Sequence, residues 1–199
     1  PWAISLPLYK KDPRSVFCVI EALKNDKSLY VRKSVANSLN DISKDNPSLV
    51  VDFAIKNINT NKNLDWIIKH GSRTLLKNSN KDILSLFGYK SKELVIDKFN
   101  CQKTTKIGSS LEFSFNINSL EVLGKLRIEY AIDLVRLKGK SARKVYKLSE
   151  GDFKTKVKSV KKLHSFKLVT TRKYYGGVHQ LHLIINGDIV KSCSFLLNQ

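Results

Sequence analysis

Several common signposts are missing from this chain of 199 residues. Cysteine is scarce: Cys18, Cys101 and Cys193 are odd in number and far apart in sequence. That excludes a disulfide framework or a zinc knuckle as the organising device and fits a reducing compartment. No apolar run approaches the ~18 residues that a membrane-spanning helix needs, so no membrane partner is expected. No G-x-G-x-x-G or Walker loop is present to cradle a nucleotide. No Ser–His–Asp or Cys–His arrangement stands out. His179 and His182 are three apart in a strand-like stretch and so face opposite sides. Neither a metal nor a cofactor is expected. The chain contains no Met and begins at Pro1, which reads as part of a longer protein. Acid is short locally: residues 134–149 and 153–174 contain none.

Positive charge is what the chain has in excess. It carries 36 Lys and Arg against 17 Asp and Glu, a net charge of +19. At 42% hydrophobic it is no disordered polybasic tail. A folded domain with a pI near 9.9 has the electrostatic profile of a polyanion binder. The plainer reading is a solvated basic face on a protein-interaction module.

The periodicity changes near residue 90. In 1–90, apolar residues recur at helical spacing. Asp12-Pro13 opens a helix through Val16, Phe17, Ile20 and Leu23. Ser28 precedes a second, with Val31, Val35, Leu39 and Ile42 along one stripe, stopped by Asn46-Pro47. A third follows from about Ser48. A fourth carries Leu64, Ile67, Ile68, Leu75 and Leu76, with Gly71 in its middle. Asn80 caps a short last helix that stops at Gly88. Ala36 and Gly71, 35 residues apart, are small where two helices could approach closely. This spacing suits a helical-hairpin solenoid of the HEAT kind. From 91 to 199 the residues alternate at period 2: Leu111 to Asn118, Leu126 to Asp133, Lys154 to Ser159, and Gln180 to Asn186. Asn186-Gly187 predicts a type I′ hairpin turn returning through Ile189 to Leu197. About seven strands are expected, as a small antiparallel sandwich of immunoglobulin-like kind.

Candidate contacts for a polyanion follow from this layout. Arg32 and Lys33 begin the second helix, and Asn37, Asn40, Asp41 and Lys44 share a polar face with them. Lys69, Arg73 and Lys77 form an i, i+4, i+8 ridge on the fourth helix, flanked by His70. Trp66 reads as core or as a stacking surface. In the second half, Lys162, His164, Ser165, Thr171, Arg172 and Tyr174 mix cations with hydroxyls and rings, a blend suited to phosphate and sugar. Few acids could act as a base: Asp41, Asp45, Asp52 and Asp65.

Tyr30-Val31-Arg32-Lys33-Ser34-Val35-Ala36-Asn37-Ser38-Leu39-Asn40-Asp41-Ile42 closely resembles a signature of the bacterial DNA alkylation repair proteins. Trp66-Ile67-Ile68-Lys69-His70-Gly71-Ser72-Arg73-Thr74-Leu75 is similar to their next repeat. Lys162 to Lys167 and Thr170 to Tyr175 look like the C-terminal immunoglobulin-like domain of the AlkC branch. The resemblance implies HEAT-like repeats over 1–90, then an immunoglobulin-like sandwich over 91–199. It also implies a DNA glycosylase, and a cytoplasmic monomer is expected, since nothing such as a heptad run indicates an oligomer. Its partner would be double-stranded DNA containing cationic alkylated bases such as 3-methyladenine and 3-methylcytosine, cleaved without full base flipping. Trp2 resembles the family's lesion-proximal tryptophan, with the catalytic carboxylate expected upstream of Pro1. The departures are Ser38, where many relatives carry histidine, and Gly71-Ser72 in place of Ala-Leu. The alternative function is a non-catalytic DNA-binding paralogue or scaffold.

Overall fold

Helix signals run out at Gly88, whose φ of +78° ends the last turn. There the computed structural model divides the chain into two units, 1–87 and 88–199. It describes residues 6–90, 93–136, 141–170 and 173–199. Trp2, Thr171 and Arg172 lie outside the described residues.

The first unit is helical: α1 Pro7–Lys11, α2 Arg14–Leu23, α3 Leu29–Asp45, α4 Pro47–Asn57, α5 Lys62–Gly71, α6 Arg73–Lys77 and α7 Lys81–Leu86. The α1 turn lies before the first helix that the periodicity predicts. Pro7 at its first position sets φ in advance at a place where a missing N–H costs nothing. Pro47 does the same for α4. The Asp12 carboxylate accepts the Arg14 backbone N–H at 3.2 Å and opens α2. The Asn61 and Asn80 side chains cap α5 and α7, accepting from the Leu64 and Ile83 N–H groups. Helix α3 packs on α4 and α5. Val35, Ala36 and Leu39 are buried, as are Val50, Phe53 and Ala54 of α4 and Leu64, Ile67 and Ile68 of α5.

The single helix expected over 64–76 is two. A continuous helix would send the Thr74 N–H to the His70 carbonyl. Instead that N–H bonds Asn40 Oδ1 at 3.2 Å, and the Arg73 guanidinium takes the His70 carbonyl at 3.0 Å. Ser72, at φ −86° and ψ 7°, is the break. Lys69 therefore lies in the last turn of one helix, while Arg73 and Lys77 start and end another, so the three do not form one straight ridge.

Gly71 lies where α5 meets α3. A Cβ there would sit 2.9 Å from Leu39 Cβ and 3.3 Å from the Ala36 carbonyl oxygen. Both are buried backbone-proximal atoms, so neither can swing aside. Replacing Gly71 with alanine is expected to destabilise the unit by about 1–2 kcal/mol, since overpacking exceeds the gain in helix propensity. Thermal unfolding checks this.

The second unit is β: β1 Val95–Cys101, β2 Thr104–Lys106, β3 Ser110–Asn118, β4 Gly124–Val135, β5 Ser141–Phe153, β6 Val157–Ser165, β7 Gly177–Ile185 and β8 Asp188–Asn198. Two sheets result, one ordered β1-β3-β6 and one β2-β8-β7-β4-β5. Leu111, Phe113, Phe115 and Ile117 of the first share a core with Leu126, Ile128, Tyr130 and Ile132 of the second. This is the period-2 alternation made physical. Asn186 and Gly187 both have positive φ, at 49° and 88°, as a type I′ turn requires.

One strand expectation changes. Lys154 and Lys156 lie in the β5–β6 connection, not in a strand. The basic stretch before them holds β5, which pairs with β4 along its length.

Candidate nucleic-acid interface

On the helical unit, the break between α5 and α6 builds a small cationic cluster. Arg73, first in α6, is held from two sides. One guanidinium nitrogen donates to the His70 carbonyl at 3.0 Å, and another to Asn37 Oδ1 on α3 at 3.2 Å. Beneath it, Asn40 Oδ1 accepts from the Thr74 N–H and, at 2.9 Å, from the Thr74 hydroxyl. Lys33 stands one turn before Asn37 on the exposed side of α3. Among the described residues, neither Lys33 nor Arg73 forms an ion pair with a carboxylate. Arg73 keeps further N–H donors for an incoming oxyanion, fixed in direction by the bonds already made.

Burial, then Arg73, then Lys33 push the His70 imidazole below its ordinary value. Burial is the larger cause, and the nearby positive charge of Arg73 and Lys33 adds to it. A phosphate would reverse the shift, raising the bound-state pKa above the free one, so binding takes up a proton. Affinity for duplex DNA is therefore expected to rise several-fold as pH falls from about 7.5 through 6.5 towards 5.5. His70→Ala flattens that dependence. Fluorescence anisotropy at constant ionic strength is the measurement.

Trp66 stacks on His70 with centroids 5.0 Å apart and planes 9° from parallel. It is 38% exposed and so belongs to the surface, not the core. Of the two readings the sequence offered, core or stacking surface, its exposure fits the second. Its spacing of four from His70 was the only available sign that the two rings share a face.

Other expected residues have different surroundings. Arg32 donates to the carbonyls of Asp26 and Lys27 and closes the turn before α3. Asn40 is buried and serves α6 as described. Lys69 is exposed, its ammonium 5.9 Å from the Phe87 ring centroid. Lys77 is exposed at the end of α6. Of the acids, Asp41 pairs with Lys44 at 2.6 Å. Asp65 accepts the Asn59 N–H at 2.7 Å.

In the sheet unit, the edge strands β5 and β6 carry much of the charge. Lys158 and Lys162 oppose the buried Ile117 and Phe113 across β3 and β6, so they occupy core-side positions of an edge strand. Lys158 turns its ammonium over Phe153, 4.3 Å from the centroid. Lys162 reaches solvent. Such residues prevent strand addition as well as offering charge. Ser165 is exposed. His164 is buried, its Nδ1 2.8 Å from the Tyr130 hydroxyl and its ring edge-on to Phe166. Tyr174 is also buried and meets Phe166 edge-on. These two rings hold the core together and do not reach a ligand.

The sheet also assembles a Ser–His–Asp chain that the sequence did not show. Ser192 lies 2.7 Å from His182 Nδ1, and His182 Nε2 lies 3.1 Å from Asp133. Cross-strand register across β8, β7 and β4 brings them together. Arg143 clamps both Asp133 oxygens at 2.7 and 2.8 Å and, with His182, holds that carboxyl below the usual range. The chain reads as a strut between strands. His179, three residues away, points inward and stacks on Phe195.

Comparison with known proteins places these features. Residues 95–199 match the family model "Uncharacterised protein YhaZ, C-terminal Ig-like domain". The chain belongs to the YhaZ family. Residues 3–75 match the model "DNA alkylation repair enzyme". YhaZ of Bacillus subtilis is 48% identical over 198 residues, which is 98% of this chain and 55% of that protein. The alkylpurine DNA glycosylase AlkC of Pseudomonas fluorescens, solved bound to DNA containing an abasic-site analogue, superposes with a TM-score of 0.94. It is 34% identical, and the match covers 100% of this chain and 56% of AlkC. The chain is thus homologous to AlkC, and it spans about half the length of both relatives. The Lys33–Asn37–His70–Arg73 cluster falls within the segment matched by the alkylation-repair model.

Proposed function

We propose that this chain holds alkylated duplex DNA for an AlkC-type DNA glycosylase. The carboxylate-free cluster of Lys33, Asn37, His70 and Arg73 carries this reading. Its donors are preorganised, its Lys33 and Arg73 form no ion pair among the described residues, and its side chains are exposed or partly exposed. On this reading, α2 to α7 are the last turns of a HEAT-like solenoid, and the two sheets form an immunoglobulin-like sandwich. Lys69 and Lys77 extend the phosphate track, and Lys162, Ser165, Thr171 and Arg172 add a second one.

The chemistry suits such a holder. N-alkylation makes the base cationic, so it departs as a neutral leaving group without being protonated. A carboxylate then stabilises the oxocarbenium-like sugar and positions water. Trp2 and Trp66 offer ring faces that attract a cationic nucleotide. With Asp41 and Asp65 engaged by Lys44 and the Asn59 N–H, this chain alone is read as binding DNA without releasing base. That observation favours the second reading, a non-catalytic DNA binder.

Two assays separate them. Anisotropy with an abasic-analogue duplex should show binding whose log affinity falls linearly with log salt, by about 0.9 per phosphate contacted. Absence of binding at low salt would sink the DNA reading. Release of 3-methyladenine from methylated duplex by the 199-residue chain would overturn the holder role and place the catalytic acid among its own carboxylates.

A further inference from the structure

The chain leaves the three-stranded sheet at Cys101, the last residue of β1, and joins the five-stranded sheet at Thr104. There β2 runs parallel to β8 with Thr104 opposite Leu196, and the Leu196 N–H bonds the Lys103 carbonyl at 2.8 Å. Three residues before Thr104 stands Cys101, and three before Leu196 stands Cys193. Equal offsets from one parallel bridge bring the two cysteines together from opposite sheets. Their thiols are close enough to perturb each other, both half-buried at the margin of the shared core, and the Cys101 thiol donates to the Gln102 carbonyl at 3.7 Å. Both are reduced in this structure.

We propose that Cys101 and Cys193 form a dithiol that peroxide closes into an inter-sheet disulfide. Cys101 reacts first. The Cys193 thiol hydrogen-bonds it and Lys103 stands nearby, which together hold it below its ordinary value, whereas the Cys193 thiol is pushed up by the same bond and by burial. The thiolate, not the thiol, is the nucleophile. Cys101 sulfur attacks one peroxide oxygen and the O–O bond breaks, leaving a sulfenic acid and one water. Cys193 sulfur then attacks Cys101 sulfur, the S–O bond breaks, and its hydroxide leaves with the Cys193 proton as a second water. Two thiols and one hydrogen peroxide give one disulfide and two waters. The two electrons come from the sulfur pair. Cys18, exposed on the helical unit, takes no part.

The bridge would tie β1 to β8 and close the chain between them, which raises stability by constraining the unfolded state. The test is to treat the 199-residue chain with hydrogen peroxide and count thiols in denaturant. Three free thiols should fall to one. A tryptic peptide pair joined through Cys101 and Cys193 should appear, lighter by two hydrogens and released by dithiothreitol. The oxidised chain should melt several degrees higher. Cys193→Ser should stop at a Cys101 sulfenic acid that dimedone captures, and Cys18→Ser should leave the cross-link intact. Retention of all three thiols, links through Cys18, or separate oxidation of both cysteines to sulfinic acid would each overturn the proposal.

Discussion

Replacing Arg127 with methionine is expected to cost the sheet unit about 3–5 kcal/mol, a large share of what holds a domain of this size folded. Arg127 is 5% exposed on the outer face of β4. It reaches Glu129 on the same strand at 2.6 Å and Glu150 across on β5 at 2.9 Å. Glu129 is 1% exposed, so the carboxylates have little water to fall back on. Glu150 also meets Lys147 at 3.1 Å and the Tyr89 hydroxyl, and burial together with Glu150 pushes the Tyr89 phenol well above its ordinary value. Methionine fills similar space but takes the cation away from the buried Glu129, beside a Glu150 that keeps only part of its compensation, from Lys147 and the Tyr89 hydroxyl among its partners. Replacing all three with apolar residues should cost far less, because the penalty comes from the uncompensated charge and not from losing the pair. Urea unfolding of the single and triple variants measures the difference.

Reversing Lys33 and Arg73 together to glutamate is expected to weaken duplex binding by about 100-fold at moderate salt and to make the salt slope shallower by about two. Each reversal removes a phosphate contact and adds repulsion. The thermal midpoint should move little for Lys33→Glu, since that side chain is exposed and forms no ion pair among the described residues. Arg73→Glu also gives up the Asn37 and His70 bonds, so Arg73→Lys is the cleaner control. It keeps the charge but loses the fork. A salt slope unchanged in the double variant would place the DNA elsewhere on the chain.

Much of the architecture is legible in the sequence. The stripe Val35–Leu39–Ile42, the alternation Leu111–Phe113–Phe115–Ile117 and the Asn186-Gly187 turn are local signals. Backbone geometry turns such signals directly into helix, strand and hairpin, because each depends on residues within a few positions of one another. The matching of small Ala36 and Gly71 also came from the sequence, and the close approach of α5 to α3 bears it out.

The site was legible only in part. Its cations could be read as cations, but their grouping could not. Arg73 faces Asn37 because Asn40 captures the Thr74 N–H and breaks the helix, a hydrogen bond spanning 34 residues. His164 and Tyr174 looked like contacts because polar rings beside lysines suit DNA equally well in any register. Strand pairing turned both into the core. Cys101 and Cys193 read as distant, and Ser192, His182 and Asp133 as unrelated, until cross-strand register set each group side by side. Periodicity along the chain determined which elements form and which faces are apolar. Which side chains meet was decided by tertiary packing, since such a contact depends on residues far apart in sequence whose alignment no local pattern encodes.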